Sequence, residues 1–166
     1  MQNPTELRLY TFVNFYLSSI QQGIQSAHVA TNLASEYRGQ RSKAAKLLHL
    51  WEDFGKTMIV LNGGMAKDIE TGYNSQVFGF DGRIDYPYAA FEEEPGALHP
   101  SFRAITAWGI VLPPEVYNAK PVEAFPSRVG FSTLKAEEIS PETPIWEPGS
   151  FEHSICSYLQ GKSLAR

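Results

Sequence analysis

The sequence has little formal charge, and the shortage is concentrated near its start. Only 19% of its 166 residues are Asp, Glu, Lys or Arg, compared with about 25% in an ordinary soluble domain. None of these four types occurs between Leu9 and Ser35. This stretch is rich in Ser, Gln, His and Asn, so it is polar without being charged and lacks the apolar composition of a membrane span. We therefore expect no membrane association.

Several signatures of metal, redox and nucleophilic chemistry are also missing. The single cysteine, Cys156, excludes an internal disulfide and a multi-cysteine metal site. The four histidines form no HExxH motif, and the chain has neither a GxSxG nor a GxGxxG motif. We expect no metal and no cofactor. Residues Met1–Glu6 lack the basic start and apolar centre of a signal peptide, so a cytoplasmic location is expected.

Basic residues are outnumbered by acidic ones. Lys and Arg total 14, Asp and Glu total 18, and the formal net charge is −4. Such a surface does not attract a polyphosphate over long distances. Extended nucleic-acid binding is therefore not expected, whereas one nucleotide in a local pocket remains compatible with the composition.

Alternating strand and helix patterns predict an α/β fold. Leu9–Phe15 is aromatic and β-branched, and Lys56–Leu61 is a second apolar run, so both are typical of buried strands. Helices are predicted to start at Ser18–Ser19 and at Ser42. Apart from Thr106, Ala104–Leu112 is apolar in both of its alternating sets of positions, which predicts a central strand covered on both faces.

The first helix carries two stripes. One is a predicted packing stripe at helical spacing, formed by Ile20, Ile24, Ala27, Thr31 and Ala34. The other contains only neutral hydrogen-bonding side chains: Gln21, Gln25, His28 and Asn32. A solvated helix face usually carries Lys and Glu, so the second stripe is either an unusual solvated face or a surface for a ligand or partner.

Three local patterns follow later in the chain. Val77–Phe80 and Arg83–Tyr86 flank an Asp-Gly pair, which predicts a β-hairpin. Phe91–Gly96 contains three glutamates followed by Pro-Gly, which predicts an acidic turn. Thr106 places a hydroxyl inside an otherwise apolar strand, where it needs a hydrogen-bond partner.

From Val116 onward the chain is richer in proline and ends in a predicted short helix, Phe151–Leu159. We expect an α/β domain over residues 1–118 and a C-terminal arm over residues 119–166. The arm is predicted to wrap around the domain or around a twin subunit, which makes a homodimer one expectation.

Individual segments resemble the type-2 peptidyl-tRNA hydrolase family over about residues 9–114. FVNFYLSSIQQGIQSAHVA is similar to the family's first strand and opening helix, with its Gln-x-x-His step matched by Gln25 and His28. KTMIVLNGGMAKDI resembles the second strand and following helix, and YPYAAFEEEPGALHPSFRAITAWGIVLPP resembles the acidic loop and the strand that starts with threonine. The resemblance implies a three-layer sandwich with a small mixed, mainly parallel sheet of about four strands and helices on both faces.

The resemblance also implies site residues, but with departures. Glu93 stands near the family's catalytic aspartate and Thr106 near its strand threonine. The family's lysine at the start of the opening helix is not matched by Gln21-Gln22-Gly23-Ile24, and Asn14 replaces its arginine. Losing these cations removes electrostatic stabilisation from a site that processes a polyanion.

Three functions are consistent with these patterns. The preferred one is non-catalytic binding of a small nucleotide-like or sugar-bearing ligand, with sequestration of a nucleotide signal as one use. For this function, the protein is predicted to have a neutral ligand pocket that contains Asn14, Tyr16, Gln21, Gln25, His28, Asn32 and Trp108. The second is hydrolysis of peptidyl-tRNA or a related ester through Glu93, Thr106 and His28. The third is a structural or assembly subunit that docks through its arm.

Overall fold

The computed structural model describes residues 6–80, 83–94, 104–119 and 146–165. The chain divides into two units, of which the first comprises Met1–Pro113 with Lys162–Arg166 and the second Pro114–Gly161. The first unit ends close to the predicted boundary at residue 118, but it also includes the last residues of the predicted arm. Residues 120–145 of that arm lie outside the described part of the chain.

A four-stranded mixed sheet forms the centre of the first unit. Its strands are β1 (Arg8–Asn14), β2 (Thr57–Gly64), β3 (Tyr88–Glu93) and β4 (Ala104–Leu112), in the spatial order β2-β1-β4-β3. β1 is parallel to β2, and β4 is antiparallel to both of its neighbours. The predicted α/β class is confirmed. With one parallel and two antiparallel pairings, however, the sheet is less parallel than the resemblance implied.

Five α-helices accompany the strands in the described residues. Three belong to the first unit: α1 (Ser19–Glu36), α2 (Lys43–Leu50), which continues into a π-helical turn at Trp51–Gly55, and α3 (Ala66–Val77). The second unit contains α4 (Pro114–Tyr117) and α5 (Phe151–Gln160), so the short helix predicted near residue 151 is confirmed. None of the helices described is long and apolar enough to cross a membrane.

α1 and α3 cover opposite faces of the sheet. The Thr11 hydroxyl lies 2.9 Å from the Ser26 hydroxyl of α1. The next residue along β1, Phe12, stacks on Trp108 with 4.3 Å between ring centroids, and Tyr73 of α3 meets Trp108 at 6.0 Å. Because successive side chains of a strand point to opposite faces, the contacts of Thr11 and Phe12 place α1 on one face of the sheet and α3 on the other. Burial raises the pKa of Tyr73 to about 12.

The predicted packing stripe of α1 is wrong. Ile20 and Ile24 are 77% and 49% exposed, while the buried positions of the helix are Gln22, Gln25, Ser26, Val29 and Leu33. The helix is rotated relative to the prediction so that its Ser and Gln side chains reach hydrogen-bond partners on the sheet. These pairings offset the desolvation of the buried polar groups.

The predicted hairpin is wrong in both of its strands. α3 extends through Val77 and is followed by a 3-10 turn at Phe78–Phe80. Val77 is buried on the same helix as Ile69, so the apolar residue attributed to a strand belongs to the packed face of α3. Residues 83–86 are irregular, and the Asp81-Gly82 pair lies outside the described residues.

In the second unit, Cys156 is a buried packing residue. Its thiol donates to the carbonyl oxygen of Ala119 at 2.9 Å, and burial raises the pKa of that thiol. Since the thiolate is the reactive form of cysteine, Cys156 is poorly suited to nucleophilic chemistry.

A glycine on β4 permits the close approach of α1. A methyl group on Gly109 would lie 2.8 Å from the carbonyl oxygen of Tyr10 and 2.9 Å from Cγ1 of Val29. We expect Gly109→Ala to lower the free energy of unfolding by about 1–3 kcal/mol because the packed face cannot absorb the added methyl. Chemical denaturation measures this loss.

Gly23→Ala is the matched control. Gly23 lies on the exposed side of α1, and a methyl group there would meet no described atom within 4 Å besides its chain neighbours and the backbone of α1. Alanine favours the helix by about 0.5–1 kcal/mol, so this variant should be more stable than the wild type. Equal losses for both variants would contradict the placement of α1 against β4.

Candidate functional site

A cavity of about 310 Å³ lies at the carboxyl ends of the parallel strands β1 and β2. Its described lining residues are Phe15, Gln22, Asn62, Ser163, Leu164 and Ala165. β1 leads into α1 and β2 leads into α3, and the two connections are joined by a hydrogen bond from the Phe15 amide to the Gly64 carbonyl at 3.1 Å. The crevice at the carboxyl ends of strands is a common ligand site in open α/β sheets.

The cavity combines aromatic surface with carboxamides. Phe15 is 47% exposed, and its ring centroid lies 4.1 Å from that of Tyr16. Gln22 donates from Nε2 to the carbonyl oxygen of Asn14 at 3.4 Å. The Asn62 side-chain oxygen accepts from the Gly64 amide at 2.9 Å. Each carboxamide is thus held by one contact to the backbone, and none of the six lining residues carries a formal charge.

The loop that presents Phe15 is fixed by local hydrogen bonds. The Asn14 side-chain oxygen accepts from the Tyr16 amide at 3.0 Å. Ser18 caps α1, and Oε1 of Gln21 accepts from the Ser18 amide at 3.0 Å, completing a capping box. Asn14 and Gln21 therefore hold the loop in shape, while the Tyr16 ring is 68% exposed beside Phe15.

A separate polar chain connects the middle of α1 to β3 and β4. The Thr106 hydroxyl donates to Oε1 of Gln25 at 2.6 Å, and Nε2 of Gln25 donates to Oε1 of Glu93 at 2.7 Å. Thr106 and Gln25 are buried, and Glu93 is half-buried. Both the oxygen and the nitrogen of the Gln25 side chain are hydrogen-bonded, so Gln25 links Thr106 to Glu93 and orients both.

A β-bulge directs Thr106 towards Gln25. Phe91 pairs with Ala107 and Glu92 pairs with Ile105, so Thr106 is the extra residue between the two pairs. A bulge disrupts the alternation of side chains and re-aims the inserted one. The Thr106 hydroxyl thereby reaches α1 rather than the opposite face. Glu92 and Glu93 belong to β3, so the predicted acidic turn is wrong over these residues, and Pro95-Gly96 lies outside the described residues.

The rest of the neutral stripe also contacts β3. The ring of His28 stacks on Phe91, with centroids 4.2 Å apart and planes inclined by 8°. Nδ2 of Asn32 donates to the Ala90 carbonyl at 2.8 Å. Neutral side chains are used here because they join a helix to an edge strand without burying charge.

The predicted site residues thus separate into two groups. Asn14, Tyr16 and Gln21 form the loop at the cavity, whereas Gln25, His28, Asn32, Glu93 and Thr106 lie between α1 and the β3–β4 pair. The structure places Trp108 in neither group, because it is fully buried and stacks on Phe12. In the described residues, no group of three or more His, Cys, Asp or Glu side chains could hold a metal ion.

Sequence reasoning missed most of the cavity. Phe15 is one of the aromatic residues that the sequence offers for base stacking, and Gln22 adjoins predicted residues. The Asn62-Gly63-Gly64 segment at the end of β2 is a usable signal, since paired glycines often mark close approach to a ligand. Residues 163–165 carry no comparable signal, because only folding brings them beside β2.

Comparisons with known proteins do not assign a family. No protein-family model matches the chain, and no curated protein matches its sequence.

Proposed function

We propose that this protein binds a small nucleotide-like ligand in the cavity at the carboxyl ends of β1 and β2, without catalysis. The observation that carries the proposal is the composition of that cavity. It offers one half-exposed aromatic ring and two carboxamides, and no formal charge stands among its described lining residues.

The chemistry of the lining favours a base and its sugar over a polyphosphate. A heterocyclic base stacks on an aromatic ring with a gain of about 1–3 kcal/mol. The carboxamides of Gln22 and Asn62 supply donors and acceptors that match base edges and sugar hydroxyls. The volume of about 310 Å³ falls at the lower end of the range for small-molecule pockets, about 300–1,000 Å³.

The departures from the type-2 peptidyl-tRNA hydrolase family support binding rather than turnover. By the resemblance, the family's lysine corresponds to the stretch Gln21–Ile24, which contains no lysine, and the Gln21 side-chain oxygen takes part in the cap of α1. A polyanionic substrate would meet neutral groups there. Retention of a nucleotide signal, removing it from solution, is the use we propose for such a site.

Phe15→Ala is the direct test of the proposed pocket. We expect roughly a tenfold loss of nucleoside affinity, because the stacking surface is removed. Isothermal titration with adenosine, guanosine, cytidine and uridine measures this loss. Phe54→Ala is the matched control, since Phe54 is also exposed but lies in the π-helical turn after α2.

The result that contradicts the proposal is equally specific. If none of the four nucleosides binds the wild type, and no small molecule accompanies the purified protein in native mass spectrometry, the proposed function is wrong. Equal affinity of the Phe15→Ala and Phe54→Ala variants would place the ligand elsewhere.

Ester hydrolysis of an acylated tRNA is the second candidate, and the chain from Thr106 through Gln25 to Glu93 favours it. A carboxylate oriented by a buried amide could act as a general base. The expected result under this candidate is release of free tRNA, reduced at least about tenfold in Glu93→Gln. Absence of turnover at high protein concentration would exclude it.

A further inference from the structure

We infer that the segment Lys162–Ala165, here called the tail strand, is a detachable wall of the cavity whose docking on β2 and ligand binding stabilise each other. The coupling rests on the proposed function, whereas the docking of the tail strand does not. The inference identifies a regulatory element of the proposed site.

The tail strand extends the sheet at its outer edge. β2 is the first strand in the sheet order, so one of its edges has no partner among β1, β3 and β4. The Asn62 amide donates to the Ser163 carbonyl at 2.9 Å, and the Ala165 amide donates to the Val60 carbonyl at 3.0 Å. These bonds flank an antiparallel bridge between Leu61 and Leu164. The tail strand thus satisfies edge groups that would otherwise face solvent or another chain.

This docking is weak by the standards of a strand. Two backbone hydrogen bonds hold it on β2, the Lys162 ammonium interacts electrostatically with Asp68, and Leu164 is 66% exposed, so that side chain buries little apolar surface. Segments with few buried contacts open at a small fraction of the global unfolding free energy. The tail strand therefore detaches far more often than the rest of the sheet unfolds.

The tail strand also forms half of the cavity lining. Ser163, Leu164 and Ala165 belong to the tail strand, and the other described lining residues are Phe15, Gln22 and Asn62. Asn62 both lines the cavity and donates to the tail strand, so this one residue takes part in ligand binding and in docking of the tail strand. A ligand that touches both walls binds the docked state more tightly, and linkage then requires that it strengthen docking by the same factor.

The variant Ala165→Pro tests the docking in the full chain. Proline removes the amide that donates to Val60 while leaving the rest of the tail strand in place. Ala165→Ser is the matched control because it keeps that amide. We expect hydrogen exchange at the Asn62 amide to be about two- to tenfold faster in Ala165→Pro than in the control. Equal exchange rates in the two variants would overturn the docking.

The four nucleosides used as probes above test the coupling. In the wild type, a saturating nucleoside should slow exchange at the Asn62 amide. Ala165→Pro should bind that nucleoside about two- to tenfold more weakly than Ala165→Ser. Equal affinities would overturn the coupling while leaving the proposed function intact. If no nucleoside binds the wild type, the coupling and the proposed function both fail, and the exchange comparison still decides whether the tail strand docks.

Discussion

Trp108→Ala is expected to lower the free energy of unfolding by about 3–5 kcal/mol, the range for removing a large aromatic side chain from a packed core. The indole is fully buried, stacks on Phe12 and meets Tyr73 of α3. Its removal leaves a void between the sheet and α3 that rigid strands cannot fill. Denaturant unfolding followed by far-UV circular dichroism measures the loss.

A conservative variant keeps this prediction testable if Trp108→Ala does not fold. Trp108→Phe retains an aromatic ring at the position and should lose clearly less stability than the alanine variant. It should also bind nucleosides like the wild type, because Trp108 is not among the residues that line the cavity. If Trp108→Phe were as stable as the wild type but did not bind nucleosides, Trp108 would have to be part of the ligand site.

Gln25→Leu is expected to cost about 2–4 kcal/mol of stability. The substitution removes a hydrogen bond to the Glu93 carboxylate and leaves the buried Thr106 hydroxyl without its acceptor. A hydrogen bond to a charged group contributes about 1.5–3 kcal/mol, and an unsatisfied buried group costs about 1–3 kcal/mol. Solvent screening at the half-exposed Glu93 keeps the first contribution at or below the low end of its range. Chemical denaturation of the variant and the wild type measures the difference.

A double-mutant cycle with Thr106→Val provides the control. Replacing both partners of a buried hydrogen bond with apolar groups is much less harmful than replacing one. The Gln25→Leu, Thr106→Val protein should therefore be more stable than the sum of the single losses predicts. Strict additivity would show that the 2.6 Å contact between the two side chains contributes little to stability.

Three of the four strands were predictable because their own composition marks them. Ala104–Leu112 coincides with β4, and the strands predicted at Leu9–Phe15 and Lys56–Leu61 overlap β1 and β2. Short runs of mainly apolar, β-branched and aromatic residues favour strands, and this local signal requires no knowledge of neighbours. It does not report position in the sheet, because β1 and β4 are buried whereas the edge strand β2 is mostly half-buried. The kinship with type-2 peptidyl-tRNA hydrolases stays a prediction.

The orientation of α1 could not be predicted in the same way. Ile20 and Ile24 have apolar side chains at helical spacing, yet both are exposed, while Gln25 and Ser26 are buried. Gln25 accepts from the Thr106 hydroxyl, which the bulge directs towards α1, and Ser26 pairs with the Thr11 hydroxyl of β1. Such pairings depend on strand register between distant segments, which hydrophobic periodicity does not encode.

The site was predictable only in part for a related reason. The neutral stripe of the first helix was interpreted as a solvated face or as a surface for a ligand or partner, whereas hydrogen bonding divides it between the cavity loop and the contact with β3. The roles of Gln25 and Asn32 follow from their bonds to Glu93 and to the Ala90 carbonyl. The wall formed by residues 163–165 arises from a pairing with β2 across about a hundred residues of chain, beyond the reach of any local pattern.

Chemical-shift mapping by NMR during titration with each of the four nucleosides tests the proposed site most directly. Binding in the cavity predicts that the backbone amides of Phe15, Gln22, Asn62 and Gly63 shift together and saturate at one dissociation constant, while those of Asn32 and Phe91 stay in place. Shifts centred on Gln25, His28 and Glu93, or no saturable shifts with any nucleoside, would contradict it.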